Sequence, residues 1–369
     1  MQFKTLNVFL IMKNKKIFIS LSFLICLLFS TPNFALAENQ TEEKFNAGEF
    51  LIDHVLDSYE WHIFTWKGHH VTVNLPIIVF YEGNFYSFSS KVFHHEENYV
   101  TVNKKTSEDL TFTISKDHKL YKGKVMVVNA DGTQTRPYDI SITKNVFALF
   151  LSCTLIIVLF LIVANAYKKR GEKAPKGLQS LFEMLICYVR DDIALKAIDK
   201  KHVDRYLPYL ITVFFFIFIN NLMGLIPIFP FGANITGNIA VTAVIALFTF
   251  FITNIFGNKE YYKDIVNTPG VPWFLKLPIP LMPLIETFGC VTKPIVLAIR
   301  LFANITGGHM VVLGFISIIF ILGAQFSPVS LILVIFTDVL ELLVAYIQAY
   351  VFTMLSALYF GTACKEHHH

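Results

Sequence analysis

LMPLIETFGCVTKPIVLAIRLFANITGGHMVVLGFISIIFIL, residues 281–322, and VSLILVIFTDVLELLVAYIQAYVFTMLSALYF, residues 329–360, stand near the end of the chain with only Gly323-Ala324-Gln325-Phe326-Ser327-Pro328 between them. At ~1.5 Å per residue the two apolar runs are about 60 and 50 Å long as helices, against ~30 Å of hydrocarbon in a bilayer. They read as a long membrane hairpin whose arms tilt or bend. The turn between them carries no charge. An antiparallel hairpin turning near residue 325 sets Arg300 opposite Gln348 and His309 opposite Glu341.

Ionisable side chains at membrane depth cost about 2.5–3.5 kcal/mol each on insertion scales, so they mark functional positions. Here they all fall in the hairpin: Glu286, Lys293, Arg300 and His309 on its first arm, Asp338 and Glu341 on its second. Glu286, Lys293 and Arg300 are spaced by heptads, which keeps them on one helical face with a drift of ~20° per repeat, and Asn304 follows Arg300 at i+4. Asp338, Glu341 and Gln348 share a face by i+3 and i+7 steps. His309, nine residues past Arg300, falls on the opposite side of a regular helix. A loosened turn at Gly307-Gly308 would reconcile the two.

The rest of the composition agrees with a polytopic membrane protein. Of 369 residues 54% are hydrophobic, 16% are charged and 37 are Phe. A net charge of +4, concentrated in loops, gives no basis for nucleic acid as a partner. Cys26, Cys153, Cys187, Cys290 and Cys364 show no CxxC spacing and read as packing residues. His69-His70 and His94-His95 lack metal-ligand spacing, so neither a metal nor a cofactor is expected.

Residues 1–37 read as a signal peptide: Lys13, Lys15 and Lys16, an apolar run from Ile17 to Phe29, then Ala35-Leu36-Ala37 as a cleavage site. Met12, just before the basic residues, is a second candidate start. Residues 38–144 are then exported. They are polar, with an early helical stretch around Phe50-Leu51 and Val55-Leu56, and alternating β runs at 71–75, 110–114 and 124–128. A turn signal follows at Asn129-Ala130-Asp131-Gly132. This is a small β-rich domain.

Residues 145–365 form the membrane domain, with 366–369 as a tail. Spans are expected at Val146–Tyr167, Tyr206–Ile228 and Ile239–Phe256. The loop after the first opens with Lys168-Lys169-Arg170 and closes with Lys200, Lys201 and Arg205, whereas Pro230–Asn238 has no charge, which sets the basic loop in the cytoplasm. Within it Leu178, Leu181, Phe182, Leu185, Ile186 and Val189 recur at helical spacing, an amphipathic helix at the membrane surface. The fold class is an all-α polytopic membrane protein with five membrane-crossing helices, that surface helix and the exported β-rich domain. The N-terminal domain would lie in the periplasm and the C-terminus in the cytoplasm, across a cell inner (plasma) membrane.

KPIVLAIRLFAN (293–304) resembles the signature of subunit a of F-type ATP synthases, the membrane-sector stator subunit. NNLMGLIP (220–227), the stretch Leu178 to Ile193 and QAYVF (348–352) match as well, and the resemblance covers roughly residues 145–365. It implies that Arg300 is the essential arginine, with Asn304 and Gln348 as polar neighbours and Glu286 lining a cytoplasmic half-channel. His309, Glu341 and Asp338 are assigned to the outer half-channel, His309 and Glu341 being exchanged relative to some bacterial members, and Lys293 completes the site. The implied function is proton translocation past the rotor c-ring, coupled to ATP synthesis. The chain would be one subunit of a translocase, without an active site for ATP chemistry, and its partners would be the c-ring, subunit b or other peripheral-stalk subunits, and lipid. The β-rich region departs from the short exported terminus usual in that family.

Two alternatives remain at this level: a Na⁺-translocating version of the same machine, and a stand-alone secondary transporter. The second would typically show an internal repeat and broken midplane helices, which this sequence lacks. A membrane enzyme would need a nucleophile-base motif such as GxSxG or HExxH, also lacking. The orientation is open to direct test. Single cysteines at Asn234 and Lys259, treated with an impermeant thiol reagent on intact cells, should label only at 234. Labelling of Lys259→Cys from outside would reverse the topology.

Overall fold

The computed structural model of the chain describes residues 57–66, 69–95, 98–102, 109–115, 122–129, 131–170, 174–226, 232–266 and 281–364. The expected signal peptide, the helical stretch around Phe50–Leu56 and the terminal histidines lie outside those residues.

Alternation of apolar and polar residues builds the N-terminal part. β1 (Glu60–Trp66) pairs antiparallel with β2 (His69–Asn74), with a slip in register between His62 and Phe64. Next come β3 (Pro76–Tyr81), β4 (Asn84–Ser89), β5 (Asn98–Val102), β6 (Asp109–Ile114), β7 (Val125–Val128), β8 (Gln134–Thr135) and β9 (Tyr138–Asp139). They form a three-stranded sheet in the order β4-β3-β9 and a four-stranded sheet in the order β5-β6-β7-β8. Side chains alternate across a strand, so Ile77 and Val79 point inward with Tyr86, Leu110, Phe112, Val125 and Val127 to make one small core. Glu82 and Gly83 both take positive φ (48° and 87°), the geometry of a two-residue hairpin turn between β3 and β4. The expected turn at 129–132 is present, closed by Gly132 N donating to Asn129 O at 2.9 Å, with Gly132 at φ 73°.

Two hydrogen bonds fasten this domain to the first long helix, α1 (Lys144–Arg170): Lys144 N donates to Ser58 O (2.9 Å), and Asn145 N to Asp57 Oδ1 (3.1 Å). Trp61 meets Phe147 edge to face at 5.9 Å. Trp61 also packs in a small buried cluster with Ala148, Ala233 and Ile235.

The other helices of eight or more residues are α2 (Leu178–Tyr188), α3 (Val203–Leu225), α4 (Ile239–Ile255), α5 (Lys259–Val266), α6 (Leu281–Leu322) and α7 (Ser327–Cys364). Among the described residues, α1, α3, α6 and α7 are long and apolar enough to cross a membrane, and α4 with α5 makes a pair bent by 105°. α2 buries Phe182, which stacks on Phe215 (5.1 Å) and meets Phe160 of α1 edge to face (5.6 Å), then continues as a π-helical turn, Val189–Ala194. α3 and α7 share the largest core, with Leu210, Phe214 and Ile217 among its residues from one helix and Ala349, Phe352 and Phe360 from the other. Gly361 makes room for this: a Cβ there would collide with the backbone carbonyl of Ala197. Hydroxyl groups in α7 return to their own helix, Thr353 Oγ1 to Ala349 O (2.8 Å) and Ser356 Oγ to Phe352 O (2.9 Å), which satisfies them where water is excluded.

The hairpin register follows expectation. Ser330 Oγ donates to Phe315 O, Gly308 faces Glu341, and Lys293 lies over Tyr359. The expected loosening at Gly307-Gly308 is not found. α6 runs through both glycines as continuous α-helix, because a single Gly pair costs only about 1 kcal/mol per residue of helix propensity and packing offsets it.

The N-terminal core carries one polar link of consequence. The Tyr59 hydroxyl donates to Asp139 and accepts from Val125 N (3.2 Å). Burial, then the hydrogen bond to Asp139, holds the Tyr59 pKa well above its ordinary 10.0. A raised folded-state pKa means the contribution is fully present below about pH 10 and is lost as pH rises beyond it. Tyr59→Phe, which strands Val125 N–H, is expected to cost about 1–3 kcal/mol. Urea unfolding of the β-rich domain followed by circular dichroism should show that loss at neutral pH, and a steeper alkaline decline in the parent than in the variant.

Candidate functional site

Arg300 sits midway along α6 on a side that the other described residues leave open. One strip of the helix is buried through Leu297, Ala298 and Leu301, while Val296 (51% exposed) and Ile299 (49%) flank the exposed Arg300. Ala303, Asn304 and Gly307, at i+3, i+4 and i+7, extend the exposed stripe, and a side chain added at Gly307 would meet nothing. α7 adds Leu340, Leu343 and Ile347 to the apolar surface. A guanidinium cannot shed its charge, so an exposed arginine among apolar side chains at membrane depth requires an answering anion.

To one side of Arg300 lies a small polar cavity. Asn221 and Leu225 of α3, Asn304 and His309 of α6, and Glu341 and Ala345 of α7 line it, with room for about one water (≈ 10 Å³). Glu341 is 8% exposed, its Oε1 has no hydrogen-bond donor from the described protein, and its carboxylate lies against Gly308. Asp338, one turn before it and exposed, is near enough to act on it electrostatically. His309 is partly buried. Gly224 leaves space for its ring, since a Cβ there would stand 3.6 Å from His309 Nε2.

The turn 232–238 closes this end. Thr236 Oγ1 donates to Asn221 Oδ1 (2.7 Å), Asn221 Nδ2 donates to Ala345 O (3.3 Å), and Thr306 Oγ1 reaches Gly237 O (3.4 Å). An imidazole and a buried carboxylate lining one water-sized space are chemically able to pass a proton.

A second polar cleft lies on the other side of Arg300 along α6. The Lys293 ammonium is 5.8 Å above the Tyr359 ring, and Asn254, Tyr261, Cys290 and Thr362 line the same cleft. Tyr261 Oη is 3.5 Å from Cys290 Sγ, and Glu286 is close enough to act on Tyr261 through space. Along α6, Lys293 is ~10 Å and His309 ~14 Å from Arg300, in opposite directions. Arg300 also lies within electrostatic reach of Tyr359.

Thus Asn304, His309 and Glu341 are brought together, and Glu286 and Lys293 gather at the other end. Arg300 and Gln348 part company: Gln348 is buried and Arg300 exposed. His309 is on the side of a regular helix away from Arg300, where it meets Gly224. Sequence reasoning quoted Asn221 and Gly224 without giving them a role and passed over Thr236, Tyr261 and Tyr359. Paired amides, Asn220-Asn221, inside an apolar span were the available signal.

Residues 146–361 match the profile of the ATP synthase A chain family, and residues 50–141 match a domain of unknown function. The chain is 36% identical over 251 residues to an ATP synthase subunit a from Chloroherpeton thalassium, covering 66% of this chain and 72% of that one. It is 42% identical over 240 residues to an ATP synthase subunit a 2 from Prosthecochloris aestuarii, covering 63% and 71%. A similar protein from Chlorobaculum tepidum is 44% identical over 234 residues, covering 61% and 64%.

The Gly308 contact makes a sharp test of the cavity. A Cβ at Gly308 would strike the Glu341 carboxylate, a flexible tip, whereas one at Gly307 meets open space. Gly308→Ala is expected to push Glu341 out of its pocket with little loss of helix, and Gly307→Ala to leave it in place. Carbodiimide labelling of Glu341, read by mass spectrometry, should rise several-fold in the first variant only.

Proposed function

The chain belongs to the ATP synthase A chain family, and from that membership we propose that it is the stator wall past which a rotor ring carries protons. One observation carries the reading: a permanently charged Arg300, exposed on an apolar face, with a polar pocket on either side of it along α6.

A carboxylate on a rotor helix facing lipid stays protonated, because desolvation penalises its charged form. Beside Arg300 it ionises. The small side chains at Ala303 and Gly307 suit the close approach of such a helix. The cavity of Asn221, His309 and Glu341 then serves as the outer half-channel, with Asp338 beside it, and the Glu286–Lys293 cleft serves as the inner one. Arg300 blocks direct leakage between them, so a proton crosses only by riding the ring. Protons rather than Na⁺ suit this path, since an imidazole next to a carboxylate relays H⁺ and offers a metal ion a poor oxygen cage.

In this reading the chain crosses the inner membrane five times, α4 and α5 counting once. Residues 38–144 lie outside, α2 rests on the cytoplasmic surface, and the C-terminus is cytoplasmic. Its partners are the c-ring and the stalk subunits that keep it from turning. ATP chemistry belongs to other subunits of the complex.

Arg300→Lys tests the proposal. It keeps a charge but exchanges a fixed planar fork for a flexible ammonium that can lose its proton when desolvated. The assembled variant complex, reconstituted in vesicles, should show no ATP-driven proton pumping. Pumping at the parent rate would remove Arg300 from the role given to it.

A further inference from the structure

The turn 232–238 touches the N-terminal domain on one side and the polar cavity on the other. It carries no charge and opens with Gly232 at φ 82°, whose N donates to Met223 O near the end of α3 (2.9 Å). Its internal bonds are local: Gly237 N donates to Asn234 Oδ1 (2.8 Å), and Asn238 N to Ile235 O (3.1 Å). These keep the backbone folded. Where the turn sits depends on what its side chains meet, since a loop takes its position from the scaffold around it.

On one side they meet Trp61. Ala233 and Ile235 are buried in one cluster with Trp61 of β1 and Ala148 of α1, and Val73, the cross-strand neighbour of Trp61 in β2, packs against it. Trp61 is itself held in place. Its ring lies edge to face on Phe147 at 5.9 Å, and the bonds from Lys144 N to Ser58 O and from Asn145 N to Asp57 Oδ1 fix the start of β1 to the start of α1. On the other side Thr236 Oγ1 donates to Asn221 Oδ1 (2.7 Å), and a Cβ at Gly224 would stand 3.7 Å from Ala233 O and 3.6 Å from His309 Nε2. Asn221 and His309 both line the cavity. Ile235 and Thr236 are consecutive residues, so whatever displaces the first displaces the second.

Resting on the proton path proposed above, we infer that Trp61 is a positioning residue of the outer half-channel: through it the N-terminal domain clamps the turn 232–238, and the clamped turn sets Asn221 in the wall of the cavity that His309 and Glu341 share. A cavity the size of one water tolerates little displacement of its walls. Without the indole, Ile235 loses the surface it is buried against and the Thr236 hydroxyl leaves Asn221 Oδ1. Asn221 then keeps only the longer of its two bonds, from Nδ2 to Ala345 O at 3.3 Å. The β-rich domain thereby takes part in transport, although among the described residues none of its own lines the cavity.

The experiment uses the full complex reconstituted in lipid and reads amide hydrogen exchange in residues 232–238 together with ATP-driven proton pumping. Trp61→Ala should speed exchange in that turn several-fold and lower pumping several-fold. Trp61→Phe, which keeps an aromatic ring in the cluster, should stay near the parent in both. Thr236→Val keeps the side-chain shape but deletes the donor, and should lower pumping to a similar extent. Adding Trp61→Ala to it should cost little more, since the two act through one contact. A merely structural tryptophan would loosen β1 and β2 without reaching the turn, so parent-like exchange at 232–238, or pumping losses that multiply in the double variant, overturns the inference. If Trp61→Ala fails to assemble, Ile235→Ala opens the same contact with the N-terminal domain intact, and parent-like exchange and pumping there overturn it. Asn221→Leu measured alongside separates the two readings. Pumping at the parent rate in that variant removes the cavity from the proton path, whereas its loss together with normal pumping in Trp61→Ala removes only the part given to Trp61.

Discussion

A charge inside ~30 Å of hydrocarbon persists only where something answers it. In this chain the answers are given unevenly. Glu341 is enclosed by α3, α6 and α7, and Lys293 lies over an aromatic ring, but Arg300 is left open by the other described residues on an apolar wall.

The holding is done by small residues and self-satisfied polar ones. Gly361 lets α7 press on the carbonyl of Ala197, Gly224 admits the His309 ring, and Gly308 admits the Glu341 carboxylate. Lipid is as apolar as leucine, so helices in a membrane gain from close contact rather than from hydrophobic exclusion. Serine and threonine hydroxyls that bond within their own helices keep the α3–α7 seam free of unmet demands. Two buried polar atoms on these helices have no partner among the described residues, Glu341 Oε1 on α7 and the Asn220 carboxamide oxygen on α3, and Glu341 lines the small cavity between α3, α6 and α7.

The N-terminal domain is joined to the membrane helices by more than a linker. Its Trp61 packs with residues of α1 and of the turn 232–238, and Asp57 and Ser58 meet the first backbone amides of α1. The turn in turn bonds to Asn221 and Thr306. A continuous set of contacts therefore runs from β1 to the cavity around His309.

Local chemistry determined much of this from the sequence alone. Two apolar runs too long for a bilayer and an uncharged turn between them specify a hairpin and its register, because an antiparallel pair has only one free parameter once the turn is located. Heptad spacing of Glu286, Lys293 and Arg300 specifies a common face, and alternation at 110–114 and 125–128 specifies strands. Tertiary structure alone decided which of those faces is covered. Periodicity says that Arg300 and Asn304 share a side of a helix, but not that no other described helix lies against it, and hairpin register sets Arg300 opposite Gln348 without showing that Gln348 turns inward. It also left the direction of His309 unexplained, since Asn221 and Gly224, beside which it sits, lie 88 and 85 residues earlier in the chain. Contacts at such separations follow from the packing of whole helices, which no local pattern encodes.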